Sequence, residues 1–175
     1  MRSVRLADFC VCGADQHRDT THFLSCHKNS AARYRRHLHI CQVLASWARS
    51  LGASVRLEPA HIGSEDSKRP DLEVFIGPHR FLVDVSIVHP GSNSYAPKAA
   101  ETKLYTAAHA EKEKTEKYQR MAEEAKAKFF PFVIESTGGW GSLASKFVEE
   151  FVVAAKDSHS AWCPHEIVFG IHRLV

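Results

Sequence analysis

Two short apolar runs separated by a turn constrain the fold of this chain more than any other feature. Leu72–Ile76 and Phe81–Val88 have the length and composition of buried strands, and Gly77-Pro78-His79-Arg80 stands between them. Runs of this kind, joined by a short segment with glycine and proline, are typical of a β-hairpin. The middle of the chain is therefore predicted to form part of a sheet.

Helix and strand signals flank the hairpin on both sides. Apolar residues at three-to-four spacing predict a helix over 31–51. The sequence further predicts a short strand at Val55 to Leu57, a loop over 59–70, a loop from Gly91 to Pro97, a long helix over about 99–128, a strand at Phe129–Glu135 and a helix at Leu143–Ala155. The tail from Glu166 to Val175 fits a strand or a helix. This order predicts an α/β or α+β fold with a small mixed sheet flanked by helices.

Composition excludes several other classes of protein. A chain of 175 residues with 44% hydrophobic and 25% charged residues has the composition of one globular domain with at most a small appendage. No apolar run approaches the length of about 18 residues that a membrane span needs, and the start of the chain lacks a signal-peptide stretch. The five cysteines are too unevenly placed for a disulfide framework. We therefore expect neither a membrane partner nor a secreted scaffold.

Basic residues are concentrated near the start of the chain. Residues 1–50 contain eight Lys/Arg and three Asp/Glu, a balance of +5, whereas the remaining residues have a balance of −2. Such a basic region fits a polyanionic partner, because Lys and Arg neutralise phosphates and release counterions. Arg33, Arg35 and Arg36 are the principal candidates for phosphate contacts. The alternative is a solvated basic face without a partner.

Cysteine and histidine residues form a candidate zinc knuckle in residues 1–29, which have few large apolar side chains and need a staple to fold. Three thiolates and one imidazole, from Cys10, Cys12, His22 and Cys26, match the four ligands of a structural zinc site. The single residue between the first two cysteines is shorter than the usual spacing, and His17 and His27 are rival ligands. The alternative is a metal-free surface cluster, and Cys41 and Cys163 are not expected to bind metal.

Two acidic residues on the hairpin form a candidate catalytic metal site. Asp71 opens the first strand after Arg69-Pro70, and Asp84 lies in the middle of the second strand. Acids on adjacent strands around a tight turn can converge, and paired carboxylates bind Mg²⁺ for phosphodiester hydrolysis. The alternative is that Asp71 caps a turn and Asp84 forms a salt bridge with an arginine.

The predicted long helix adds lysines near these acids. At about 100° per residue, Lys114 lies about 40° from Tyr118, which is on the buried stripe with Leu104, Ala122, Ala125 and Phe129, whereas Lys117 lies about 100° away. Lys114 is therefore expected to point towards the acids and Lys117 to lie at the rim. The alternative is a solvated face on which these lysines pair with Glu111, Glu113 and Glu116.

The order of these motifs resembles one known family. The segments, in order, are CVCGADQHRDTTHFLSC, RYRRHLHI, RPDLEVFIGPHRFLVDVS, AEKEKTEKY and PFVIESTGGWG. Together, over about residues 10–145, they resemble the C-terminal cysteine-rich motif and restriction-like endonuclease domain of site-specific non-LTR retrotransposons. That family is similar to the PD-(D/E)xK nucleases.

The resemblance implies a role for each motif. It implies a zinc knuckle over 1–29, with Cys10, Cys12, His22 and Cys26 as ligands, and a restriction-like endonuclease domain over 30–175. Asp71 and Asp84 match the acids that bind Mg²⁺ or Mn²⁺, with the backbone carbonyl of Val85 as an extra ligand. Ser86 stands where ordinary PD-(D/E)xK enzymes have lysine, and the K-x-x-K-Y pattern supplies Lys114, Lys117 and Tyr118 instead. Arg36-His37 resembles the family's Arg-His motif, so His37 joins the candidate DNA contacts.

The expected function is a Mg²⁺-dependent endonuclease that nicks target DNA to prime reverse transcription. The resemblance also implies action in the nucleus and a reverse transcriptase domain of the same polyprotein as a partner, although a freestanding relative fits equally. The helix over 31–51 has no acid, so the third carboxylate ligand of some relatives is absent. Its absence is compatible with one or two catalytic metals and with weak activity. The alternatives are a zinc-stapled nucleic-acid-binding module with an inactive nuclease core, and a protein-interaction domain without a nucleic-acid role.

Overall fold

The computed structural model describes residues 9–15, 21–62, 69–92 and 94–158. In chain order these residues form α1 (His22–Ser25), a 3₁₀ turn (His27–Asn29), α2 (Ser30–Ser50), β1 (Ser54–Leu57), β2 (Leu72–Ile76), β3 (His79–Val88), α3 (Ala96–Glu101), α4 (Tyr105–Glu124), β4 (Lys128–Glu135) and α5 (Ser142–Ser158). The predicted tail element from Glu166 to Val175 lies outside the described residues. No described helix is long and apolar enough to cross a membrane.

The described strands form one mixed sheet in the order β1-β2-β3-β4. The pairs β1–β2 and β2–β3 are antiparallel, whereas β4 runs parallel to β3. A parallel pair requires a long crossover, which α3 and α4 provide. The prediction of a mixed α/β fold with a small sheet flanked by helices is confirmed at this level.

Side-chain alternation along β3 divides the core between two faces of the sheet. Phe81, Val83 and Val85 belong to the larger cluster, which also contains buried residues of α2 and α5. Leu82 points the other way and packs against α4. Asp84 has the same parity as Leu82, so the pleat directs this carboxylate to the α4 side.

The hairpin turn is tighter than predicted. Ile76 pairs with His79, so the loop consists of Gly77 and Pro78, and β3 begins two residues before Phe81. Gly77 has a φ of +52°, which only glycine adopts at little cost and which two-residue hairpin turns require. The turn therefore sets the register of the hairpin.

The prediction of one helix over 99–128 is wrong, because the segment forms α3 and α4. Thr102 is extended, and Leu104 has a φ of +59°, so the chain turns sharply before α4 and Leu104 lies outside the helix. The Glu135 carboxylate accepts a hydrogen bond from the Ala107 N–H at 3.3 Å, and this bond satisfies a helix N–H that a continuous helix would not leave free. The loop predicted to end at Pro97 ends earlier, since proline is tolerated in the first turn of α3.

Glu111 links α4 to α5. Its side chain is buried, and its Oε1 accepts hydrogen bonds from the N–H groups of Leu143 and Ala144 at 2.7 and 3.3 Å. The alternative assignment of Glu111 to a solvated Glu/Lys face is therefore wrong. A carboxylate at a helix N-terminus satisfies free N–H groups and complements the helix dipole, so Glu111 fixes α5 against α4.

Candidate functional site

The two hairpin acids lie at the point where β2 begins. Leu72 pairs with Val83, so the same antiparallel register carried one step further sets Asp71 opposite Asp84. The Val85 N–H donates a hydrogen bond to Asp71 Oδ2 at 2.6 Å, which holds the Asp71 carboxylate against β3. The hairpin register therefore supports the predicted convergence of two acids separated by a tight turn.

Lys114 reaches this pair from α4. Its Nζ lies 2.7 Å from Asp84 Oδ2, and the Asp84 side chain is only 5% exposed. A buried carboxylate is costly without a compensating charge, and this lysine supplies one. The alternative prediction is a salt bridge between Asp84 and an arginine; the residue that pairs with Asp84 is Lys114.

Lys117 and Tyr118 complete the α4 side of the site. Lys117 is exposed, with its Nζ 4.8 Å from the centre of the Tyr118 ring. The Tyr118 hydroxyl donates a hydrogen bond to the carbonyl of Arg69 at 3.1 Å. Burial, together with the negative charge of Asp84, raises the pKa of Tyr118, so it is a neutral hydrogen-bond donor.

His37 contacts Asp71 from α2, and its side chain is 32% exposed and also lines a cleft beside β3. Its Nε2 lies 3.1 Å from Asp71 Oδ2. This hydrogen bond raises the pKa of His37 to about 10, so the imidazole is protonated at neutral pH. This contact could not be predicted from the sequence, because nothing in the spacing of α2 relates it to β2.

The three arginines of α2 have different surroundings. Arg33 and Arg36 line a cleft of about 510 Å³ that also contains Ser86 and Val88 of β3. Arg36 donates a hydrogen bond to the carbonyl of Leu24 at 3.0 Å, and so ties α2 to the knuckle segment. Arg35 is exposed and lies outside the lining of the cleft.

The edge of β3 opens onto this cleft. Among the described residues, no strand pairs with β3 beyond Val83 on the β2 side. The Val85 N–H points to this edge, and the N–H and C=O of one strand residue point the same way, so the Val85 carbonyl also faces the edge. A ligand in the cleft can therefore approach Asp71 and the Val85 carbonyl along the open edge.

The carboxylate oxygens of Asp71 and Asp84 and the carbonyl oxygen of Val85 are of the type that binds a hard divalent cation. Asp84 Oδ2 is fully buried and has an ion-pair contact but no partner with hydrogen-bond geometry among the described residues. Mg²⁺ binds carboxylate and carbonyl oxygens and keeps several waters. Asp71, Asp84 and the Val85 carbonyl would be its protein ligands.

The knuckle cysteines and histidine come together. Ligand atoms of Cys10, Cys12, His22 and Cys26 all lie within 4.8 Å of one another. The Sγ atoms of Cys10 and Cys26 are 3.5 Å apart, and Cys12 Sγ is 2.9 Å from His22 Nε2. Ligands around tetrahedral zinc are separated by about 3.5 to 3.8 Å, so small movements complete the site. The cluster could hold a metal ion such as zinc; of the rival ligands, His17 and the side chain of His27 lie outside the described residues.

A tight turn explains why cysteines separated by one residue can share a site. Gly13 has a φ of +89°, and its N–H donates to the Cys10 carbonyl at 2.8 Å. A hydrogen bond from the Cys12 backbone lowers the pKa of the Cys10 thiol, which favours the metal-binding thiolate. The knuckle segment also contacts the residue that follows β3, since Thr21 Oγ1 lies 3.2 Å from His89 Nε2.

We expect the purified protein to retain about one zinc ion per chain after dialysis against a weak chelator. His22→Ala should lose this zinc, because a thiolate-rich site with one ligand removed binds far less tightly. His39→Ala, which removes an exposed histidine of α2, is the matched control and should retain it. Elemental analysis checks both, and a full equivalent of zinc that His22→Ala holds as tightly as the wild type would exclude this ligand set.

Comparisons with models of known protein families and with curated proteins find no match. The described residues define a mixed α/β protein with a histidine-cysteine cluster that could hold a metal and a separate carboxylate-lysine site at a sheet edge. What this site does must be inferred from its geometry.

Proposed function

We propose that this protein is a Mg²⁺-dependent DNA endonuclease with a PD-(D/E)xK-like core and a zinc knuckle. The observation that carries the proposal is the ion pair between Lys114 and the buried Asp84, directly beside the register position of Asp71. Two acids and a lysine at an accessible sheet edge form the smallest set of groups that metal-assisted phosphodiester hydrolysis needs.

The position of the lysine supports this class of nuclease. Ser86 follows Asp84 by two residues and cannot supply a positive charge. Lys114 brings an ammonium group to the same carboxylate from α4, so the charge missing from β3 is restored from another element. This arrangement is the one that the resemblance to retrotransposon endonucleases implies.

Different residues of this chain would have different roles in hydrolysis. When bound, Mg²⁺ polarises the phosphate and lowers the pKa of a coordinated water. Asp71 and Asp84 hold it, and Lys114 stabilises the negative charge that develops on the phosphate oxygens. Tyr118 positions Lys117 and the backbone of Arg69 at the rim. Arg33 and Arg36 bind flanking phosphates in the cleft.

The proposal extends to the biological setting of the family. The nick would supply a 3′-hydroxyl that primes reverse transcription in the nucleus, with a reverse transcriptase domain of the same polyprotein as partner. DNA is the substrate, and the basic region at the start of the chain supplies the sequence-independent part of its binding.

Nicking of supercoiled plasmid tests the activity. We expect conversion to the open circle with Mg²⁺ or Mn²⁺ and none with excess chelator, because the acids alone cannot activate water. Binding of the same DNA, measured without divalent cations, should weaken as salt rises. Salt-dependent binding without nicking would instead identify a zinc-stapled nucleic-acid-binding module with an inactive core. If the protein neither nicks nor binds DNA, the alternative of a protein-interaction domain would be favoured.

A further inference from the structure

A second group of metal-ligand atoms lies between α2 and β2, outside the knuckle. It consists of His37, Cys41 and Asp71, whose ligand atoms all lie within 4.8 Å of one another. His37 and Cys41 are four residues apart on α2 and so share one face of the helix. We propose that these three side chains form a binding site for a thiophilic transition metal ion of the Zn²⁺ type, separate from the knuckle and sharing only Asp71 with the Mg²⁺ site.

The distances fit tetrahedral coordination. His37 Nε2 lies 3.1 Å from Asp71 Oδ2, and Cys41 Sγ lies 3.9 Å from the same nitrogen. Nitrogen, oxygen and sulfur ligands of tetrahedral zinc are separated by about 3.3 to 3.6 Å, so these pairs lie on either side of the required values. A cation between the three atoms would replace the proton that His37 and Asp71 share.

The surroundings hold the ligands in place and leave a route for the ion. The Val85 N–H holds Asp71 Oδ2 at 2.6 Å, which is the kind of outer-shell bond that orients a metal-binding carboxylate. The Cys41 thiol is buried, whereas the side chains of His37 and Asp71 are 32% and 20% exposed. Three protein ligands with partial exposure leave the fourth position to water.

The ligand types separate this site from the Mg²⁺ site. A thiol and an imidazole favour Zn²⁺, Co²⁺ or Ni²⁺ over Mg²⁺, which prefers oxygen ligands. The proposed site therefore departs from the sequence-based expectation that Cys41 does not bind metal. Because Asp71 belongs to both sites, an ion here would withdraw it from Mg²⁺; this consequence, unlike the site itself, rests on the proposed nuclease function.

Titration with Co²⁺ tests the site without DNA or Mg²⁺. The protein is first loaded with one equivalent of Zn²⁺ in the knuckle. We expect it then to take up one equivalent of Co²⁺, with the near-ultraviolet absorption of a cobalt–thiolate bond. Cys41→Ala should lose both the uptake and the absorption, while circular dichroism should show the helix content of the wild type, since alanine suits a helix interior.

Two controls keep the outcome decisive. His39→Ala removes an exposed histidine of the same helix and should leave the titration unchanged. If Cys41→Ala does not fold, Cys41→Ser replaces it and should shift the spectrum towards that of a cobalt site without thiolate. No uptake by the zinc-loaded wild type, or the same absorption in a folded Cys41 variant, would overturn the proposal.

The same variants test the consequence for nicking. Added Zn²⁺ beyond the first equivalent should inhibit Mg²⁺-dependent nicking by the wild type at least ~10-fold more strongly than nicking by Cys41→Ala. Equal inhibition of the two proteins would contradict competition at Asp71. If no nicking occurs at all, the nuclease proposal fails while the Co²⁺ titration still decides whether the metal site exists.

Discussion

Asp84→Asn should abolish Mg²⁺-dependent nicking, with a loss of about 10³-fold or more in rate, because it removes a buried anionic ligand of the catalytic cation. The side chain is 5% exposed, lies against Lys114 and is the one carboxylate that β3 carries. The plasmid assay under identical Mg²⁺ and salt gives the rate. DNA binding without Mg²⁺ should be at least as tight as that of the wild type, because a negative charge near the phosphates has been removed.

The stability of Asp84→Asn shows whether lost nicking reflects a lost metal ligand or an unfolded protein. Asparagine matches the shape of aspartate, and Lys114 is 30% exposed and can turn towards water once its partner is neutral. We therefore expect a change of about 1 kcal/mol or less in the free energy of unfolding, measured with denaturant. Asp157→Asn removes an exposed carboxylate of α5 and is the matched control, with unchanged nicking. An unfolded Asp84→Asn beside an inactive wild type would make Asp84 a structural ion-pair partner only.

The hairpin was predictable because its signals are local. Two apolar runs and a glycine-proline turn lie within one short stretch, so the pattern alone predicts both strands. The register was not predictable in the same way, because the loop contains two residues rather than the four that the pattern indicated. The division of the long helix was not predictable, since Thr102 and Leu104 carry no breaking signal. It depends on Glu135, which caps α4 from a strand formed later in the chain.

Some contacts of the candidate site could also be predicted from the sequence, and others could not. Lys114 could be directed towards the acids from helical phase alone, because Tyr118 marks the buried face of α4 and the angle between the two residues is small. The contact between His37 and Asp71 could not, since it depends on how α2 crosses the sheet. The neighbouring Cys41 had only its i,i+4 spacing from His37 as a signal, and that spacing equally fits the apolar stripe of α2.

Lys114→Ala should reduce the nicking rate by about 10²- to 10³-fold, and Lys117→Ala by about 10-fold or less. The Nζ of Lys114 lies 2.7 Å from Asp84 Oδ2, next to the reacting phosphate of the proposed complex, whereas Lys117 is exposed and contacts the ring of Tyr118. Lys117→Ala should therefore act mainly on DNA binding. Lys112→Ala, which removes an exposed lysine of the same helix, is the matched control and should nick as the wild type does.

Stability has to be separated from chemistry in this comparison, because Lys114→Ala leaves the Asp84 carboxylate buried without its partner, which is costly. Combining Lys114→Ala with Asp84→Asn should recover most of the lost stability and none of the activity, since the charge to be compensated disappears together with a metal ligand. Lys114→Arg keeps a positive charge and should restore part of the rate if the lysine stabilises charge on the phosphate. If Lys117→Ala proved the more damaging change in folded protein, the two lysines would exchange roles, and the ion pair with Asp84 would serve stability alone.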